Sequence, residues 1–301
     1  MSAHKSGFVG LVGRPNVGKS TILNWYVGEK VSIVSPSPQT TRQRVLGVVT
    51  RDDAQALFLD TPGLHKPQHT LGRAMVGIAK TVLADADVLV VVIDGRAGIT
   101  EEDERVWSSV RAVKRPRLLA INKVDVTRKP RLLPLLEAAA KTRLFAECIP
   151  VSALTGEQMP VLLDRIIALL PEGPRWYEPG QRTDQPSEQV MSELIREQVL
   201  LATRQEVPQS IAVLVDNLEE RPNRLLAIQA TILVERPGQK AILIGHGGSM
   251  LKRIGQAARQ ELERFAGRKV YLGLWVKLAE GWRHDERVLR QLGLLDSARR
   301  S

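Results

Sequence analysis

An α/β fold, with a mostly parallel sheet flanked by helices and a smaller α+β domain after it, is the class this chain's patterning predicts. Three observations carry that reading. From about residue 8 to 170 short apolar runs alternate with stretches of helical periodicity, the pattern of an open parallel sheet covered by helices. The candidate strands end at or just before short polar motifs, where such sheets place their ligands. Proline, glycine and polar residues then cluster over 171–186 and break both helix and strand, and a second pattern begins after them. A chain of 301 residues also exceeds the usual span of one hydrophobic core.

The first strand, 8–12, runs into Gly13-Arg14-Pro15-Asn16-Val17-Gly18-Lys19-Ser20, a match to G-x-x-x-x-G-K-[ST]. Gly13 and Gly18 let backbone amides approach phosphates, and the helix starting near Lys19 points its own amides at them. Lys19 supplies a point charge to the terminal two phosphates, and the Ser20 hydroxyl is a ligand for Mg²⁺. Thr21 completes the loop's binding set. Residues 35–41, rich in Pro, Ser and Thr, are expected to order around Mg²⁺ and the γ-phosphate through Thr41, with Thr40 as the alternative.

Strands 45–49 and 56–60 follow, the second ending in Asp60-Thr61-Pro62-Gly63. Asp60 is placed to hold Mg²⁺ through water, and the Gly63 amide to sense the γ-phosphate. Leu64 comes next, where small signalling GTPases use a glutamine to orient water, so slow intrinsic hydrolysis is expected. After strand 88–94 and helix 101–113, strand 117–122 ends in Asn122-Lys123-Val124-Asp125. The Asp125 carboxylate suits the ring N–H and exocyclic amine of guanine, a donor pair that adenine lacks. Asn122 and the Ser152-Ala153-Leu154 loop after strand 147–151 are expected to brace the base, and helix 161–170 closes the half. GTP or GDP with Mg²⁺ is the ligand set these motifs describe, with Lys19, Thr41 and Gly63 as the catalytic candidates.

Beyond the boundary, the order is helix from 187, strands 210–215 and 225–234, a helix, the loop Gly245-His246-Gly247-Gly248, a basic helix 249–265 and strand 269–278. A G-x-x-G loop before a helix admits a sugar-phosphate backbone, and Lys252, Arg253 and Arg259 extend the positive surface. The expected domains are 1–172, a linker 173–186 that would act as a hinge, and 187–301. A net charge of +10 points to a polyanionic partner, either nucleic acid or an anionic membrane surface. No apolar run reaches the roughly 20 residues of a membrane-spanning helix, and no signal segment precedes the phosphate loop, so a cytoplasmic protein is expected. Cys148, the single cysteine, reads as a small buried apolar residue, and the five histidines lack company at metal-ligand spacing. A GTPase acting in RNA modification would need a catalytic thiol or cofactor site, which this pattern lacks.

With these motifs in place the chain resembles the Era family of bacterial ribosome-assembly GTPases along essentially all its length. Gln39-Thr40-Thr41-Arg42 and Asp60 to His65 fit in the first half, and Val234-Glu235-Arg236, Ile244 to Gly248, Leu274-Trp275-Val276-Lys277 and Gly281-Trp282 in the second. The resemblance implies a P-loop GTPase domain followed by a type II K-homology (KH) domain. It implies binding of single-stranded RNA near the 3′ end of 16S ribosomal RNA, through Gly245, His246, Gly247, Gly248, Lys252 and Arg253, favoured by the GTP state. It further implies a role in maturing the 30S subunit, with K⁺ held beside the nucleotide by Asn16. No obligate oligomer is expected. The family often carries a basic residue inside the glycine loop, so His246-Gly247 implies weaker or pH-sensitive RNA contact. The alternative is a GTP-dependent adaptor whose basic face meets the anionic inner surface of the cell membrane or a protein partner.

Overall fold

The computed structural model describes residues 4–63, 69–203, 207 and 210–295. Two compact units divide the chain. The first takes in Met1–Ser32, Thr41–Lys66 and Met75–Asp184, and the second Ile33–Thr40, Pro67–Ala74 and Gln185–Ser301. The expected Leu64 and His65 positions lie outside the described residues.

In chain order the elements up to Leu169 are β1 (Lys5–Val12), α1 (Lys19–Val27), β2 (Val45–Thr50), β3 (Ala54–Asp60), α2 (Thr70–Asp85), β4 (Val88–Asp94), α3 (Glu101–Arg111), β5 (Arg117–Asn122), α4 (Leu132–Lys141), β6 (Glu147–Pro150) and α5 (Met159–Leu169). The six strands form one sheet in the order β2-β3-β1-β4-β5-β6, with only β2 antiparallel to its neighbour. Every residue of β4 is buried, as a strand covered on both faces requires. Its alternate side chains feed two layers: Val88, Val90 and Val92 join α1 and α5, whereas Leu89, Val91 and Ile93 join Val106, Trp107 and Val110 of α3. Helix α3 starts on a capping box in which the Thr100 hydroxyl accepts from Asp103 N and the Asp103 carboxylate accepts from Thr100 N. Parallel pairing sets Leu11 beside Asp60 and Asp94 beside Asn122, so the motif-bearing ends share one edge of the sheet.

Residues 171–184 differ from the expected hinge. Ser6 N donates to the Pro171 carbonyl and Gly173 N to the His4 carbonyl. Gln55 Oε1 accepts from both Trp176 N and Tyr177 N, and Gln55 Nε2 donates to the Tyr177 carbonyl. Val48 N then donates to the Arg182 carbonyl, and Thr183 Oγ1 to the Leu46 carbonyl. Proline and glycine there prevent regular structure, yet the segment satisfies its backbone on the first unit and lies along it as a strap.

The second unit holds α6 (Ser187–Ala202), β7 (Ala212–Arg221), β8 (Leu225–Val234), α7 (Pro237–Ile244), α8 (Ser249–Ala266), β9 (Val270–Leu278) and α9 (Glu286–Gln291). Its sheet runs β7-β8-β9, with β7 antiparallel and β9 parallel to β8. Ile195 and Val199 of α6 meet Ile228, Ala230 and Ile232 of β8 and Ile254, Ala258 and Leu262 of α8 in one core. Positions 254, 258 and 262 are four apart, a single apolar stripe that leaves Lys252, Arg253 and Arg259 exposed. Trp282 is 1% exposed, and its Nε1 donates to the Ser210 carbonyl, so this part of the family pattern builds the core.

Candidate nucleotide site and glycine-loop groove

The loop Gly13 to Ser20 leaves β1 and enters α1, whose first turn has no side-chain cap, so its amides are available to an anion. Gly18 turns left-handed at φ 103°, and a Cβ there would stand 2.1 Å from Asn122 Nδ2. Only glycine permits that approach. It lets Asn122 Nδ2 donate to the Val17 carbonyl at 2.9 Å, while Asn122 Oδ1 accepts from Ala153 N at 3.0 Å. Asn122 therefore ties the phosphate loop to the Ser152-Ala153 loop.

Lys19 is buried, and its Nζ donates to the Gly13 and Arg14 carbonyls at 3.0 and 2.9 Å. Burial pulls its pKa down to about 8, and the charge of Asp60 opposes that fall. Asp60 is itself buried. Its Oδ2 accepts from Ser20 Oγ at 2.6 Å, Ser32 Oγ at 2.9 Å and Thr41 Oγ1 at 3.3 Å, while Oδ1 has no partner among the described residues. Desolvation raises its pKa, against the pull of Lys19 and the three hydroxyls. Ser20 Oγ and Thr41 Oγ1 are 3.0 Å apart. The three residues expected around Mg²⁺ thus converge, and the structure separates the two threonines: Thr40 Oγ1 donates to the Ser37 carbonyl and pairs with Ser35 Oγ. Two hydroxyls and a carboxylate with one orphaned buried oxygen are the hard donor set that Mg²⁺ takes. Thr61 Oγ1 donates to the Leu11 carbonyl, which fixes the turn carrying the buried Pro62 and Gly63.

Asp125 is exposed, and its Oδ1 accepts from the buried Ser152 Oγ at 2.6 Å, which orients the carboxylate. Lys123 Nζ reaches the Asn16 carbonyl and Asp94 Oδ2, each at 2.7 Å. Burial alone would raise the Asp94 pKa, but the Lys123 bond and charge, with the amides of Ala97 and Arg96, hold it below the usual range. Val124 N donates to the Val151 carbonyl, closing the loop around the base position. Arg14 turns away to Asp103 at 3.2 Å, and Asn16 is exposed at φ 62°.

Motif reading missed Ser32, Asp94, Asp103 and two residues of α6. In the second unit Ile33 joins the core formed with Val190 and Leu194, Val34 N donates to Glu197 Oε1 at 2.9 Å, and the Arg196 guanidinium donates to the Thr40 carbonyl. Arg196 and Glu197 are buried, and Arg196 also pairs with Glu193. No local pattern marks these charged positions; the folded chain shows them holding residues 33–40, one peptide bond before Thr41.

In the glycine loop, Gly245, Gly247 and Gly248 all have positive φ. Gly248, Lys252 and Arg259 line a groove of about 680 Å³ with Leu251 and Gly255 of α8 and Tyr271, Leu272 and Leu274 of β9. His246 and Gly247 are exposed at the loop tip. Arg253 does not join them: it lines a separate notch with Gln198 and Leu201, because one residue along a helix turns a side chain by about 100°. Cys148 is half-buried, not fully buried as expected, since β6 lies at the sheet edge; burial still raises its thiol pKa. No described helix is long and apolar enough to cross a membrane.

A phosphate loop on a mostly parallel sheet, an exposed Asp125 carboxylate oriented by Ser152, and a second unit with a glycine-loop groove define a P-loop GTPase with an appended KH domain. Residues 8–123 match the family model "50S ribosome-binding GTPase", and residues 206–283 match the KH domain model. GTPase Era of Staphylococcus haemolyticus is 43% identical over 296 residues, covering 98% of this chain and 99% of that protein. GTPase Era of Heliobacterium modesticaldum is 45% identical over 293 residues, covering 97% and 98%. Among solved structures, an Aquifex aeolicus Era variant bound to GDP and AlF4⁻ superposes with a TM-score of 0.93 at 41% identity, covering 97% of this chain and 100% of that one. Era in complex with MgGDPNP and nucleotides 1506–1542 of 16S ribosomal RNA gives 0.94 at the same identity and coverage. The chain belongs to the Era family of GTPases and hydrolyses GTP.

Proposed function

We propose that this chain is a GTP-controlled RNA-binding switch that engages the 3′ region of 16S ribosomal RNA and assists 30S subunit maturation. The working division is a GTPase domain of residues 1–172 and a KH domain of 187–301, joined by 173–186. The observation that carries the RNA reading is the groove between α8 and β9, floored by apolar side chains and rimmed by Gly248, Lys252 and Arg259. That combination takes bases on its floor and phosphates at its rim. The related complex with 16S ribosomal RNA supports the same partner.

At the nucleotide site the amides of residues 13–20 and Lys19 bind the phosphates, and Thr21 extends that set along α1. Asp125 reads guanine, with Ser152 and Ala153 behind it. Ser20, Thr41 and Asp60 hold Mg²⁺, which when bound neutralises charge developing between the β- and γ-phosphates. Lys19 stabilises the same charge from the protein side, Gly63 presents its amide to the γ-phosphate, and Thr41 closes the segment over it, which excludes bulk water other than the molecule that attacks the γ-phosphate. Asn16 offers a site for K⁺ beside the nucleotide; equal hydrolysis rates in K⁺ and Na⁺ buffers would end that assignment.

The test is the affinity for a single-stranded RNA matching the 3′ end of 16S ribosomal RNA, with a GTP analogue or GDP bound. Tighter binding with the analogue is expected. Weak binding in both states would sink the RNA reading.

A further inference from the structure

Trp275 and Lys277 belong to the stretch that marks the second half of this family, yet neither serves the core. Trp275 is 52% exposed and Lys277 is exposed, in contrast to the buried Trp282. Along β9 the side chains alternate. Val270, Leu272, Leu274 and Val276 turn to the helices and the core, which leaves Tyr271, Gly273, Trp275 and Lys277 on the opposite face.

That face is built for flat ligands. A Cβ on Gly273 would stand 2.7 Å from the Trp275 ring, so the indole lies folded over the glycine backbone in the direction of Tyr271. Tyr271 is also 52% exposed, and the Arg221 guanidinium sits 5.5 Å from its ring centre. Pairing across the sheet sets Gln229 beside Gly273 and Thr231 beside Trp275, with Asn217 beyond Gln229. Of the acids nearby, Glu219 pairs with Arg221, and Asp216 keeps its charge while accepting from Thr231 Oγ1. The row therefore reads cation, ring, amide, ring, cation.

We propose that this sheet face is a second contact surface for single-stranded RNA, on which bases flanking those in the groove stack against Trp275 and Tyr271. The inference rests on the RNA reading above. Two features favour RNA over a protein partner. Tyr271 also lines the groove, so the two surfaces are continuous. Tyr271 and Trp275 are the only large hydrophobic side chains of β7, β8 and β9 that are exposed, and a protein interface core needs more apolar area than two rings. Stacking, by contrast, needs only rings, with cations for the phosphates.

The test uses the full chain with a GTP analogue bound and two RNAs, one of about four nucleotides that fills a KH groove and one extended to about eight. The intact protein is expected to bind the longer RNA about tenfold to a hundredfold more tightly, the range for one stacked base. Trp275→Ala and Gly273→Ala, which removes the ring or lifts it, should erase that preference and leave the short RNA unaffected. Unchanged GDP affinity and thermal midpoint would show that both variants fold. Retention of the length preference in both variants overturns the proposal, as does equal affinity of the intact protein for both lengths, the result expected if a protein covers this face. Failure to bind even the short RNA would instead strike the RNA reading itself, because the groove alone should hold it.

Discussion

Lys19 sits inside the phosphate loop with its ammonium on two backbone carbonyls and a pKa near 8. In the free protein above that pH the amine is largely neutral, so phosphate binding must take up a proton. Nucleotide affinity should then be flat from pH 7 to 8 and fall about tenfold per unit above 8. Titration of GDP binding from pH 7 to 9.5 checks this, and a flat profile would contradict it. The sign for folding is opposite: the unfolded chain holds that proton up to about pH 10.4, so the free protein gains stability as pH rises from 8. Residue identity was legible in the sequence where the chemistry is local. Lys19, Asp60 and Asp125 each lie within a few residues of the strand end that places them. The hydrogen-bond partners of Asn122 were not legible, because Val17 and Ala153 come from two other loops.

Helix α6 shows what an element can hide. Its apolar stripe of Val190, Leu194, Ile195 and Val199 was readable as a core face, and that is where the structure puts it. Arg196 and Glu197 were not readable, because their ligands are backbone groups some 160 residues away, at Thr40 and Val34. Arg196→Ala removes a charged donor from a buried carbonyl, a loss of about 1.5–3 kcal/mol in the arrangement that holds Thr41 beside Ser20. The preference for a GTP analogue over GDP should fall by about tenfold or more, measured as the ratio of the two dissociation constants. An unchanged ratio would mean that the α6 contact does not bias the segment. The strap was hidden in the same way. Its composition forbids helix and strand and was read as a hinge, whereas Gln55, Leu46 and Val48 supply the partners that no local pattern announces.

For the whole molecule, the fold class was legible because each level of the sequence agrees with the next. Buried strands are continuous apolar runs, motifs follow their ends, and the second half repeats the logic around one groove. Assignment to units was less so. Residues 33–40 and 67–74 group with the C-terminal half although their flanks do not, and such exchange leaves no trace in composition. A loop of the first half and the first turn of α2 thus group with the second unit, and α6 contributes through Arg196 and Glu197 to where the loop rests. This covalent continuity supports a nucleotide-dependent RNA affinity without any further messenger.

The strap also bears on solubility. Strand β2 forms one margin of the six-stranded sheet, and an open margin is a template on which other chains add strands. Val48 N donates to the Arg182 carbonyl and the Leu46 carbonyl accepts from Thr183 Oγ1, so part of that template is already occupied by the protein's own chain. The opposite margin, β6, is only four residues long, ends in Pro150 and carries Glu147, which pairs with Arg165 of α5. A chain engineered with a shorter or more flexible connector between its halves would bare the β2 margin, and its first symptom would be self-association rather than loss of nucleotide binding.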